Sequence, residues 1–161
     1  LQIIEVVTNA NAQRIPFIVS VTSADPATSV ALTKKASACH AAGICVQLPD
    51  TLDRADQLAF LQELEGYAPD ILMVQDLSWD GTGLAIRDIL YLWQKVAKFS
   101  WLKIETQQAG EKYSAVLQAT DGGLKVCGGW AVTNETPGRS SSRSTPMRWA
   151  IRWAGSRTTG T

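Results

Sequence analysis

The sequence is poor in the residues that most often carry metal and redox chemistry. Histidine occurs once, as His40. Histidine-based triads and multi-histidine metal sites are thereby excluded within the chain. His40 falls between Cys39 and Ala41 on an expected helix, where a surface or packing role is its plainest reading. Cysteine occurs three times, as Cys39, Cys45 and Cys127, with neither CxxC nor zinc spacing. Free thiols in a reduced compartment are therefore expected. No apolar run reaches about 18 residues, so no membrane-spanning helix is expected. Neither GxGxxG nor GxxxxGK(S/T) follows any expected strand, which weakens nucleotide-binding readings. Net charge is zero, with 15 basic and 15 acidic residues, so no global field steers the chain to nucleic acid or membrane. No metal, no cofactor, no nucleic acid and no membrane partner is expected, and the expected location is cytoplasmic. The chain lacks an initial Met, and its first residues lack the basic start and cleavage pattern of a signal peptide. A segment of a longer protein would begin in this way.

The zero net charge hides an asymmetry. Residues 1–132 carry 10 Lys and Arg against 14 Asp and Glu, whereas residues 133–161 carry 5 Arg against one Glu. Arg, Ser and Thr make up 16 of those last 29 residues, and lysine is absent from them. Two domains of unlike character are expected: an ordered unit over 1–132 and an atypical tail over 133–161. The tail reads as disordered or as the product of a shifted reading frame. Trp149 and Trp153 lie in it and carry little weight.

What is present in residues 1–132 is a repeating unit. "RIPFIVSV" (14–21) is a short apolar, β-branched run of the kind that forms a buried parallel strand. "SADPATSVALTKKASACHAAG" follows as a helix, with Ser23 or Asp25 as cap, Pro26 in the first turn and Gly43 at the end. "GICVQL" (43–48), "DILMVQDL" (70–77), "WLKIET" (101–106) and "GLKVCGG" (123–129) read as further strands. Helical patterns separate them, including Leu58, Leu61 and Leu64, and then Ile86, Ile89, Leu90 and Trp93. Asp53, Asp56, Glu63 and Glu65 read as a solvated helix face. Strand starts fall roughly 25 to 30 residues apart, which predicts βα units around a parallel sheet. Five such units fit a doubly wound sheet or part of a (β/α)8 barrel, and a complete barrel needs roughly 250 residues.

Lys103 stands inside an otherwise apolar-looking strand. Side chains alternate along a strand, so Trp101, Lys103 and Glu105 share one face and Leu102, Ile104 and Thr106 the other. In a barrel, Leu102 and Ile104 suit the helix layer. Lys103 and Glu105 then point inward, near the strand end where barrel active sites form. Desolvation there favours the neutral amine, a nucleophile toward ketones. Glu105 is placed to orient it or to move protons. The plainer alternative is a structural Lys103–Glu105 pair in a non-catalytic α/β binding or assembly domain.

"WLKIET", "RIPFIVSVTSADPATSVALTKKASACHAAG" and "DILMVQDLSWDGTG" resemble, in order and spacing, the dihydrodipicolinate synthase and N-acetylneuraminate lyase family of class I aldolases. "EKYSAVLQATDG" and "LKVCGG" also fall where that family's sixth helix and seventh strand would. The resemblance covers about residues 1–132 and implies the third to seventh strands of an incomplete (β/α)8 barrel, with residues 1–13 as the preceding helix. It implies a Schiff-base lyase or aldolase acting on pyruvate or another 2-oxo acid, with Lys103 as the matching lysine. It also implies a homo-oligomeric parent protein.

The family pattern is not complete. Its proton-relaying tyrosine would match Val74 or Gln75, and neither carries a phenol. Asp76 is an adjacent candidate for that role, and a cap or turn is its other reading. An arginine for the substrate carboxylate is not evident, and Trp79 and Asp80 lie where it would be sought. The family's Gly-Thr-Thr-Gly-type loop would precede Leu1. Gly128 and Gly129 would let a substrate approach the backbone closely. These departures point away from dihydrodipicolinate synthesis itself.

Overall fold

Five helices and five strands alternate along residues 2–49 and 51–128, the part of the chain that the computed structural model describes. The order is α1 (Gln2–Asn11), β1 (Ile18–Ser20), α2 (Pro26–Ala38), β2 (Gly43–Gln47), α3 (Arg54–Glu65), β3 (Ile71–Leu77), α4 (Ile86–Lys95), β4 (Phe99–Glu105), α5 (Ala109–Ala119) and β5 (Lys125–Gly128). Every pairing is parallel, and the spatial order is β1-β2-β3-β4-β5. A doubly wound sheet reverses its strand order at a switch point. This sheet never reverses, so each βα unit steps the same way round, as in a (β/α)8 barrel. The chain holds five of its units. The expected tail over 133–161, and Gly129, lie outside the described residues.

Local chemistry explains the element boundaries. Asp25 caps α2 by accepting hydrogen bonds from the Ala27 and Thr28 amides, and Pro26 occupies the first turn. Asp53 caps α3 by accepting from the Asp56 amide at 2.9 Å. Asp53 is thus a cap as well as an exposed residue. Glu65 departs from the solvated-face reading, since it accepts from the Lys98 amide at 2.7 Å and ties α3 to the start of β4. His40 lies just past α2, not on it, at φ 55°, the left-handed turn that commonly closes a helix.

The core lies between the sheet and its helices. Val21, Ile44, Val46, Leu72, Val74, Leu102 and Ile104 are buried on one sheet face, against Leu61, Leu64, Ile89, Leu92 and Val116 of the helices. Leu92, outside the expected stripe of α4, is fully buried, whereas Trp93 is only partly so. Full burial of side chains of this size stabilises by about 1.5–3 kcal/mol each. The register shifts by one residue where Leu72 pairs with Phe99 and Met73 pairs with Trp101. That irregularity lets Phe99 join the core while Trp101 turns to the opposite face.

Candidate active site

Parallel pairing sets register partners side by side on one layer. One such row runs Gln47, Gln75, Lys103, Cys127 across four strands near their C-terminal ends. It lies on the face opposite the helix core, the layer that faces a barrel interior. Glu105 is two residues further along β4 on the same face.

Lys103 Nζ lies 3.3 Å from Glu105 Oε2. Gln75 Nε2 donates a hydrogen bond to the same oxygen. A single carboxylate oxygen therefore receives a cation from its own strand and an amide from the neighbouring one. The Glu105 side chain is 11% exposed and that of Lys103 is 30% exposed. Alternation sends Leu102 and Ile104 into the core and leaves the ammonium half-buried on the open layer. The strand thus accommodates a lysine without enclosing it.

Two thiols share this layer. Burial pushes the Cys45 thiol up to about 11, with the Lys103 charge offsetting part of the effect. Burial likewise raises Cys127, the register partner of Lys103, and again Lys103 opposes the shift. Both are neutral thiols at pH 7 and hence poor nucleophiles. All three cysteines are free.

The remaining sequence candidates fall elsewhere. Val74 pairs with Val46 and Leu102 in the buried core, so the position that faces the interior is Gln75. Asp76 is on the opposite face of β3 from Gln75 and is 2% exposed. Its Oδ2 pairs with Lys112 Nζ of α5 at 2.6 Å, and its Oδ1 accepts from the Leu84 amide at 2.8 Å. Asp76 therefore has its acceptors engaged by Lys112 and the Leu84 amide, and although it lines the same cleft as Gln75 it makes no bond to Lys103. Gly128 is also explained from the helix side. A Cβ there would lie 2.5 Å from the Tyr113 hydroxyl, so the missing side chain makes room for a phenol. Tyr113 hydrogen-bonds the Ile104 carbonyl at 3.4 Å, and burial raises its pKa.

An open cleft of ≈790 Å³ begins at Gln75. Its walls include Gln47, Gln57, Trp79, Asp80 and Thr82, so it is polar and carries carboxamide, hydroxyl and carboxylate groups. No three metal-ligating side chains gather among the described residues, and no helix among them is long and apolar enough to cross a membrane. Lys112 was not singled out by sequence reasoning. The signal was available: Lys112 and Val116 stand four apart on α5, on the face that meets the sheet.

No family model and no curated protein matches the sequence. Solved structures do match the fold. One from Pseudomonas aeruginosa, described as a dihydrodipicolinate synthetase, is 18% identical with a TM-score of 0.72, over 80% of this chain and 45% of its own. N-acetylneuraminate lyase from Fusobacterium nucleatum, complexed with pyruvate, is 13% identical with a TM-score of 0.69, over 80% and 43%. The 4-hydroxy-tetrahydrodipicolinate synthase from Methylacidiphilum fumariolicum SolV is 17% identical with a TM-score of 0.68, over 78% and 44%. The chain spans less than half the length of these structures. At this identity the likeness establishes the fold, that of the barrel lyases, and its extent agrees with a partial barrel.

Proposed function

We propose that the chain is the Lys103-bearing part of a Schiff-base-forming lyase or aldolase of the dihydrodipicolinate synthase and N-acetylneuraminate lyase family, acting on pyruvate or another 2-oxo acid. The observation that carries this reading is the placement of Lys103. It stands on the interior layer of a barrel-type sheet, at the C-terminal part of β4, with one carboxylate 3.3 Å away. Such sites lie at the C-terminal ends of barrel strands. The neighbouring fold of a lyase complexed with pyruvate supports the substrate class.

In the proposed step the Nζ lone pair of neutral Lys103 attacks the ketone carbon, and proton transfers give a carbinolamine. The former ketone oxygen then leaves as water, forming an iminium between Nζ and that carbon. The iminium withdraws electrons, so loss of a proton or cleavage of a bond at the adjacent carbon gives an enamine. Glu105 is the group within reach of Nζ to accept the ammonium proton and return it to the leaving oxygen. Gln75, a carboxamide, is a poor acid or base. Its part is to hold Glu105 Oε2 from the neighbouring strand.

The close Lys103–Glu105 pair also favours a second reading, a non-catalytic α/β binding or assembly domain. One experiment separates the two. The full-length, folded parent protein is incubated with pyruvate, reduced with borohydride and mapped by peptide mass spectrometry. A reduced pyruvate adduct concentrated on Lys103 is expected. Labelling of Lys103 no greater than that of exposed Lys95 rejects the Schiff-base role.

A further inference from the structure

Behind the candidate site, a lysine is spent on a loop. Lys112 is buried, 8% exposed, yet its ammonium is fully coordinated. It pairs with Asp76 Oδ2 at 2.6 Å, donates to the Leu84 carbonyl at 2.9 Å and donates to the Thr82 carbonyl. An ammonium has three N–H donors, and all three have acceptors here. Asp76 completes the ring by accepting from the Leu84 amide at 2.8 Å.

Gly83 fits inside this ring. Its φ is +65°, and a Cβ would lie 2.1 Å from Asp76 Oδ1. The same loop is tied to the other side of the site, since the Gln107 amide donates to the Gly81 carbonyl at 3.1 Å and the Ser78 amide to the Glu105 carbonyl, also at 3.1 Å. Residues 78–84 form one wall of the cleft that begins at Gln75.

We infer that Lys112 and Asp76 are positioning residues, fixing residues 78–84 as the wall of the cleft that Gln75, the register partner of Lys103, also lines. The inference rests on the reading of that cleft as the substrate site. Two physical facts favour it over a purely stabilising role. A buried ion pair contributes little net stability against an apolar pair of similar size. Two of the three Lys112 contacts go to backbone carbonyls of the loop, so the pair defines the loop's path.

Removing one partner leaves a buried charge and endangers the fold, so the test replaces both, Asp76→Leu with Lys112→Met. Hydrogen exchange is followed over residues 79–84, and borohydride trapping at Lys103 is measured against pyruvate concentration. The double variant is expected to melt with the parent while its loop amides exchange about tenfold faster. Half-maximal trapping is expected to need about fivefold more pyruvate, with the saturated trapping rate unchanged, the mark of lost positioning rather than lost chemistry. Unchanged loop exchange overturns the inference. Faster exchange with an unchanged half-saturating concentration also overturns it.

Asp76→Asn with Lys112→Met guards against an unfolded Leu and Met double variant: no charge is left buried, the Leu84 amide keeps a carboxamide acceptor, and the Thr82 and Leu84 carbonyls still lose the ammonium. The same shifts in smaller measure are expected, and their absence overturns the inference. If the full-length, folded parent protein traps no pyruvate, the Lys103 reading falls, and loop exchange alone then decides whether the pair holds the loop.

Discussion

Gln75 and Lys103 are register partners on adjacent strands, and their side chains converge on one oxygen of Glu105. The convergence joins a neutral donor and a cationic donor at a single acceptor, on the sheet face opposite the helix core. It makes Glu105 the hinge of the candidate site and ranks the effects of substitution there.

Lys103→Met is expected to abolish the borohydride-trapped adduct, because the replacement keeps the chain length and loses the amine. The fold should hold, since the Lys103 side chain is 30% exposed and off the core. Peptide mass spectrometry together with far-UV circular dichroism checks both halves of this expectation.

Glu105→Gln and Gln75→Leu are expected to differ in size of effect. Removing the carboxylate removes the proton acceptor at Lys103, and general-base contributions run to about 10²-fold or more. Removing the amide leaves the 3.3 Å contact between Lys103 and Glu105 available, so a smaller loss is expected. Initial rates of trapping give the ranking. Equal losses would show that Glu105 acts only through its bond to Gln75.

Gly83→Ala is expected to destabilise the fold. The new methyl would lie 2.1 Å from Asp76 Oδ1, in a backbone conformation with φ at +65°. A strained residue of this kind costs about 1–3 kcal/mol before the clash is counted. A urea midpoint shifted downward with an unchanged slope is the expected signature. Gly122→Ala has a similar φ, +72°, with nothing near its Cβ position, and should cost less.

Stability should fall in alkali through Cys45. Its folded pKa is raised from 9.0 to about 11 by burial, so the unfolded chain gives up this proton first. The contribution is fully present below the unfolded value and is lost as pH rises through the folded one. Integrated over that window, the loss is on the order of 2–3 kcal/mol. Denaturant melts between pH 8 and 11 should show the decline, and Cys45→Ala should flatten it. Alkylation of Cys45 at pH 8 should likewise be slow in the folded chain and fast in urea.

The alternation of "WLKIET" and the spacing of βα units were legible in the sequence because both are short-range periods. Leu102 and Ile104 bury and Lys103 does not, as strand geometry requires. A cap at Ser23 or Asp25 was legible because capping is a three-residue event, and the structure assigns it to Asp25. The placement of Asp76 was within reach of the same alternation, which puts it with Val74 and away from Gln75. Chain adjacency to the expected tyrosine position made it look like a substitute instead. The role of Gly128 was not legible, because its reason is the Tyr113 hydroxyl on a different element.

The sequence by itself therefore determined the element order, the parallel class and the layers of Leu102, Lys103, Ile104 and Glu105. Those follow from periods of two and of 3.6 residues and from local capping. Tertiary structure alone decided which groups meet. The convergence of Gln75 on Glu105 spans 30 residues, and the Lys112–Asp76 pair spans 36. No local period encodes such distances. They are set by the strand register and by how α5 settles on the sheet, where a buried cation and a buried carboxylate must each find a partner.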